Sequence, residues 1–235
     1  PIDLDSVTGR VDLGLVATIT LADEASGRPM DIDYVVNGTV ADFASARPIQ
    51  DRYIGNGQLA FSASQEGYQL GGTAEIDGMQ AEVEIAGTPT TEPTFRLSST
   101  IDVADLAEMG FDASEFLSGR VRFVAQPLSD GAMRMAVDLK DAALTIKDIG
   151  ISKAAGTSGM LSATVRPQGE VTVLDDIDLS FGTVRAIGDI TYHATDGLQA
   201  ASFSQFGLSN GDNAQLSLTP IAGGYAVRIS GAADG

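Results

Sequence analysis

Few residues in this sequence have the chemistry for catalysis or metal binding. His193 is the one histidine, and there is no cysteine and no tryptophan. A general base or a metal ligand needs partners within reach. His193 stands in Thr191-Tyr192-His193, on the polar side of an alternating stretch beside Asp189. With no second histidine and no thiol, it is expected to be a solvent-facing strand residue. Two acidic runs, Asp31-Ile32-Asp33 and Asp175-Asp176-Ile177-Asp178, hold oxygen ligands of the kind calcium takes. They lack the D-x-D-x-D-G loop spacing, and their alternation with isoleucine places them on the outer face of a strand. A glycosidase pair needs two facing carboxylates, but no aromatic platform for a sugar accompanies the acids. Gly55-Asn56-Gly57 and Gly71-Gly72 are followed by no helical pattern whose N-terminus could hold a phosphate; they read as turns or bulges. The expectation is a protein that is not an enzyme and uses no cofactor and no metal.

The pattern that dominates the chain is an alternation of apolar and polar residues with a period of two. Met133, Met135, Val137 and Leu139 alternate with Arg134, Ala136 and Asp138. Val121 and Phe123 alternate with Arg120 and Arg122, and Leu161 and Val165 with Ser162, Thr164 and Arg166. Successive side chains of a strand point to opposite faces, so each stretch is a strand with one apolar and one wet face. The pattern predicts sixteen strands between residues 9 and 231, including separate strands at 169–174 and 176–181. Short turn signals join them, such as Asp77-Gly78, Ser129-Asp130-Gly131, Asp196-Gly197 and Gly223-Gly224. Connections this short require antiparallel neighbours, so the order is largely a meander.

One segment departs from this. Val103–Leu117 (VADLAEMGFDASEFL) has Asp102 as a cap, helical spacing at Val103, Leu106 and Ala107, and Gly110 as a stop. Asp112 or Ser114 can open a second short helical turn. The expected organisation is a first β section over 1–101, a helical corner over 102–117 and a second β section over 118–235.

Composition limits the partners. Fourteen Lys and Arg stand against 32 Asp and Glu among 235 residues, a formal net charge of −18. Such a surface repels nucleic-acid backbones and anionic membrane surfaces. No apolar run approaches the roughly 20 residues that span a bilayer as a helix. The sequence starts at Pro1 without a methionine or a signal-like apolar stretch, and it is read as an excerpt from a longer protein.

A one-sided antiparallel sheet must cover its apolar face. A tightly packed sandwich is the default. Yet the apolar residues are mainly aliphatic, with methionines among them, and aromatics make up only 6%. An aliphatic-lined curled sheet suits acyl chains, because flexible methionines adapt to varied shapes. Both covers remain open on pattern alone. The residues assigned to one continuous lining are Val121, Phe123, Met133, Met135, Val137, Leu139, Leu144, Ile146, Leu161, Val165, Val171, Val173, Leu179, Ile190, Leu216, Leu218, Val227 and Ile229. Arg120, Arg122, Arg134, Asp138, Lys147, Thr164, Arg166, Asp178 and Arg185 are expected to face water.

Residues 101–146 (IDVADLAEMGFDASEFLSGRVRFVAQPLSDGAMRMAVDLKDAALTI) are followed by GISKAAG at 150–156, GMLSATV at 159–165 and LDDIDLSFGTVRAIGDI at 174–190. With Gly9-Arg10-Val11, Asp33-Tyr34-Val35-Val36-Asn37-Gly38 and Gly71-Gly72-Thr73-Ala74-Glu75-Ile76 in the first half, this resembles the AsmA-like superfamily, in its YhdP and TamB branch. The resemblance implies an all-β, long antiparallel meander curled into an elongated, taco-like groove. It implies a middle section of a periplasmic bridge that carries phospholipid acyl chains between the inner and outer membranes. An inner-membrane anchor outside this sequence and outer-membrane components would be its partners. The alternatives are a structural or interaction β-sandwich module, and an accessory in outer-membrane protein assembly that uses exposed strand edges.

Overall fold

The computed structural model describes residues 6–22, 27, 29–48, 52–107, 114–146 and 151–232. Sixteen strands and one short 3₁₀ turn make up the regular structure of these residues, and no α-helix occurs among them. The chain divides into two compact units, Pro1–Ser99 and Thr100–Gly235.

The first unit holds β1 (Val7–Thr20), β2 (Asp31–Ser45), β3 (Ile54–Ser64), β4 (Tyr68–Ile76), β5 (Met79–Gly87) and β6 (Thr94–Asp102), whose last residues fall beyond the boundary. Each strand pairs antiparallel with the next in chain order. The shortest connection shows why: Ile76 pairs with Met79 across Asp77-Gly78, both at positive φ (50° and 83°). That is the geometry of a two-residue hairpin whose twist matches its strands. Asp77 accepts hydrogen bonds from the Tyr53 amide (2.9 Å) and the Arg52 guanidinium (2.8 Å), tying the hairpin to the start of β3.

The second unit holds β7 (Leu117–Pro127), β8 (Met133–Asp138), β9 (Ala142–Ile146), β10 (Ile151–Lys153), β11 (Gly159–Gln168), β12 (Val171–Phe181), β13 (Val184–His193), β14 (Gly197–Gly207), β15 (Asn213–Ile221) and β16 (Gly224–Ala232). Here too the ladder is an antiparallel meander, in the order β7-β8-β11-β12-β13-β14-β15-β16. One excursion breaks it. The first residues of β7, Leu117–Gly119, pair with β9 rather than β8, and β9 pairs in turn with β10.

Three corrections to the sequence reading follow. The stretch 169–181 is not two strands but the single β12, with a bulge at Asp175-Asp176. β10 had no counterpart in the periodicity, because three residues cannot show a period. Of the helical corner, only a five-residue 3₁₀ turn at Val103–Ala107 forms; residues 114–116 are a plain turn, and 108–113 lie outside the described residues. The capping pattern marked a real break in the strands.

The bulges share a chemistry. Asp42 in β2, Asn56 in β3 and Asp176 in β12 all have left-handed φ, between 48° and 57°, and the register slips by one residue at each. Asp and Asn tolerate this conformation better than other non-glycine residues. A side chain bridges to the neighbouring strand at each site. Gln58 donates to Asp42 (3.1 Å), Asn56 donates to Glu75 (2.7 Å), and the Asp176 amide donates to Asp189 (3.1 Å). An extra residue on one strand turns all later side chains to the opposite parity.

Among the described residues, close backbone approaches between elements of each unit join neighbours in the ladder, the β9–β10 corner, or β7 and the 3₁₀ turn. In the second unit β9 and β10, a small sheet of their own, pack over one end of the apolar face.

Candidate functional site: an uncovered apolar face

The cross-strand register shows which side chains of the second unit share a face. Directly opposed residues of an antiparallel pair lie on the same side. One row runs Pro127, Met133, Val165, Leu174, Ile190, Ala201, Leu218, Val227, one residue from each of eight strands. A second row joins Ile177, Gly188, Phe203, Leu216 and Ile229. A third joins Phe123, Val137, Leu161, Leu179, Ala186, Phe206 and Ala214. At about 4.8 Å per strand, the first row extends roughly 34 Å. One leaflet of a bilayer contributes about 15 Å of hydrocarbon, so the row exceeds the length of a lipid tail.

Burial varies along this face, and among its larger residues Val121, Ile177 and Leu216 are buried. The small residues between larger ones are buried: Ala125, Ala163, Ala186 and Ala201. Phe123, Met135, Val137, Leu161, Val165, Leu174, Leu179, Ile190 and Leu218 are half-buried. Met133, Val227 and Ile229 are exposed, and no large side chain is fully enclosed anywhere among the described residues. Phe203 lies over Gly188, where an added Cβ would stand 2.9 Å from the ring, and its ring centroid is 6.4 Å from that of Phe206.

The lining expected from sequence is altered in two places. Val171 and Val173 do not belong to this face. They pair with His193 and Thr191, on the other side, because the Asp175-Asp176 bulge reverses the parity of β12. Leu174 and Ile177 take their places. Leu144 and Ile146 line no open surface. Leu144, Ile151 and Phe181 form a packed cluster with Leu117, Ile146, Leu179, Val184 and Phe206, where the β9–β10 hairpin folds over one end of the face. Leu139 is buried beside this corner, its amide donating to the Gly159 carbonyl (2.9 Å). Val121 is buried on β7. Phe203 and Phe206, three apart, were missed because a shift in the β14 register brings both to one face.

On the opposite face, Arg120, Arg122, Arg134, Asp138 and Arg185 are exposed. Asp178 and Arg166 are half-buried in ion pairs. Asp178 holds Arg185 at 3.0 Å, and the Arg166 guanidinium binds Asp175 at 2.8 Å and also Asp130. That guanidinium and the Ala132 amide keep the Asp130 carboxyl below the usual range. Thr164 is a correction: it is 5% exposed, not solvent-facing. It stands between Arg134 and Asp175 in the ladder, with Arg166 next on its own face, so a short side chain is overshadowed by long ones. Lys147 lies outside the described residues.

His193 is also less exposed than expected, at 21% of its side chain. Its Nδ1 accepts the amides of Thr195 (3.3 Å) and Asp196 (3.2 Å), which organises the β13–β14 turn. Asp175 and Asp178 lie on the outer face, while Asp176 forms the bulge. Among the described residues no group of three or more His, Cys, Asp or Glu side chains is placed to hold a metal.

One buried charge was not anticipated. Lys153, at the end of β10, is 4% exposed, and its ammonium donates to the carbonyls of Leu139 (2.5 Å), Ala142 (2.7 Å) and Ala154 (3.4 Å). Desolvation pulls its pKa below 10.5, against the attraction of Asp138 and Asp141. A lysine between an alternating isoleucine and an alanine carries no sequence signal for this; its role comes from carbonyls that turn inward at the corner.

No helix among the described residues is long and apolar enough to cross a membrane. Comparison of the chain with known protein families, curated proteins and solved structures finds no match.

Proposed function

We propose that this chain is a section of a periplasmic bridge that carries phospholipid acyl chains along an apolar β-face, with no bond chemistry. The observation that carries the reading is the continuous aliphatic face of the second unit, on which most of the tall side chains are left half-exposed or exposed. Each methylene moved from water onto such a face contributes about 0.8 kcal/mol. Headgroups would remain in water at the margin of the face. The rows have no deep enclosed site, so cargo would slide rather than lodge. The net charge of −18 keeps a protein with this much exposed apolar surface soluble. The likeness of residues 101–190 to AsmA-like proteins supports the periplasmic setting, an inner-membrane anchor supplied by other parts of the protein, and outer-membrane components at the far end.

The test is mass spectrometry of organic extracts of the purified chain. Co-purified phospholipid is the expected result, lost in a folded Met135→Asp variant. A chain free of lipid would favour a structural module or an assembly accessory instead.

A further inference from the structure

The two margins of the second unit's apolar face, formed by opposite ends of its strands, are unlike. At one margin β9 and β10 pack over the strand ends that carry Leu117, Phe181, Val184 and Phe206. The other margin is formed by the turns after β7, β11, β13 and β15. There Met133, Tyr225 and Val227 are exposed.

The aromatic residues are sorted between the margins. Phe181 and Phe206 pack into the corner, and the ring of Phe203 lies against that of Phe206. The unit's two tyrosines, Tyr192 and Tyr225, stand at the open margin. Both are on the apolar side. Tyr192 lies two residues beyond Ile190 on β13, opposite Thr172, and Tyr225 two residues before Val227 on β16, opposite Pro220. A tyrosine suits a boundary where its ring meets hydrocarbon and its hydroxyl meets water. A phenylalanine, without the hydroxyl, suits the dry end.

The floor between the margins has the depth of one lipid tail. Ala186, in the row that meets the corner, and Tyr192 are six residues apart on β13. At strand spacing that is about 20 Å. One leaflet of a bilayer holds about 15 Å of hydrocarbon, so an acyl chain laid along the strands fits between Tyr192 and the corner.

On the footing of the lipid reading above, we propose that each acyl chain lies along the strands, with its methyl end against the β9–β10 corner and its ester end at the level of Tyr192 and Tyr225. The corner is then an end stop that limits tail length. Headgroups leave the face only by the open margin, and several chains lie abreast across the strands.

The chain has no tryptophan, so an introduced one reports its own surroundings. Tyr192→Trp places it at the open margin, and Leu161→Trp in the row next to the corner. Tyr225→Trp and Val137→Trp repeat the test at the same two levels, and circular dichroism checks each fold. Each variant is titrated with phosphatidylcholine brominated either near the ester or near the methyl end. Bromine quenches on contact and the two levels are about 20 Å apart, so near-ester bromine should quench Tyr192→Trp about twofold or more better than Leu161→Trp, and methyl-end bromine the reverse. Single-tailed phosphatidylcholines of increasing length should bind about fourfold tighter per methylene, then level off once the tail meets the corner. Equal or reversed quenching, or tightening without a plateau, would overturn the orientation and leave the lipid reading standing. No quenching at any site by either lipid would overturn both.

Discussion

Two ends of the second unit's apolar face differ in what covers them. At the β9–β10 corner, Leu144, Ile151 and Phe181 pack into a closed cluster, sealed by Lys153 on three carbonyls. Toward β15 and β16, the same alternation of apolar residues ends in Val227 and Ile229, which stand in the open. The residue types are alike. What differs, among the described residues, is that β9 and β10 pack over the sheet at one end and no element does so at the other. An apolar stripe is therefore core where something crosses it and surface where nothing does.

The contrast is sharpest for a charge placed at each end. Phe181→Asp buries an unpaired carboxylate in the closed cluster and should cost about 4 kcal/mol or more. For a chain of this size that lowers the melting temperature by on the order of 10 °C. Ile229→Asp should stay within about 0.5 kcal/mol of wild type. Equal losses in thermal melts would mean that the open end is covered in solution.

The seal can be broken next. Lys153→Met removes the donor to the Leu139 and Ala142 carbonyls and leaves them buried, at a cost of about 2–3 kcal/mol. The pH dependence carries a sign. Because the folded pKa of Lys153 lies below 10.5, the unfolded chain holds more protons at this site between the folded value and 10.5. This group's contribution to stability thus rises with pH across that window. Denaturant midpoints measured toward pH 10.5 should show the rise in wild type and lose it in Lys153→Met.

Met135→Asp probes the middle of the face, between Ala125 and Ala163. The carboxylate stays partly hydrated at a half-exposed site, so the loss should be about 1–2 kcal/mol. An outright failure to fold would place Met135 with the closed corner rather than the open rows.

The smallest effect lies outside the face altogether. The Ser209 amide and hydroxyl and the Leu208 amide hold the Asp212 carboxyl below 3.8. Its contribution is present above 3.8 and fades as pH falls through the lower folded value. Asp212→Asn should flatten acid unfolding slightly without changing the corner or the rows.

Much of the fold was legible. Strict alternation marked the strands, because a period of two allows one buried face per strand. Short Gly- and Asp-bearing turns marked the meander, because they leave no room for a crossover. The site was legible in part. Met133, Met135, Leu161, Ile190 and Leu216 lie where their alternation puts them. Val171 and Val173 do not, and Leu174 and Ile177 do, because one residue at Asp176 adopts a left-handed φ. Alternation is counted along the chain, and a bulge resets the count without leaving an apolar or polar mark.

The sequence by itself determined that the chain is a set of one-sided antiparallel strands, acidic on the wet side and aliphatic on the other. That follows from local rules: side-chain alternation and turn chemistry act over a few residues. Only the tertiary structure decided which apolar residues are sealed and which are open. Sealing depends on β9 and β10 packing over strands distant in sequence, with a lysine turned inward to meet carbonyls no local pattern brings together. Burial is a property of what lies across the face, and that is set by contacts between strands rather than along them.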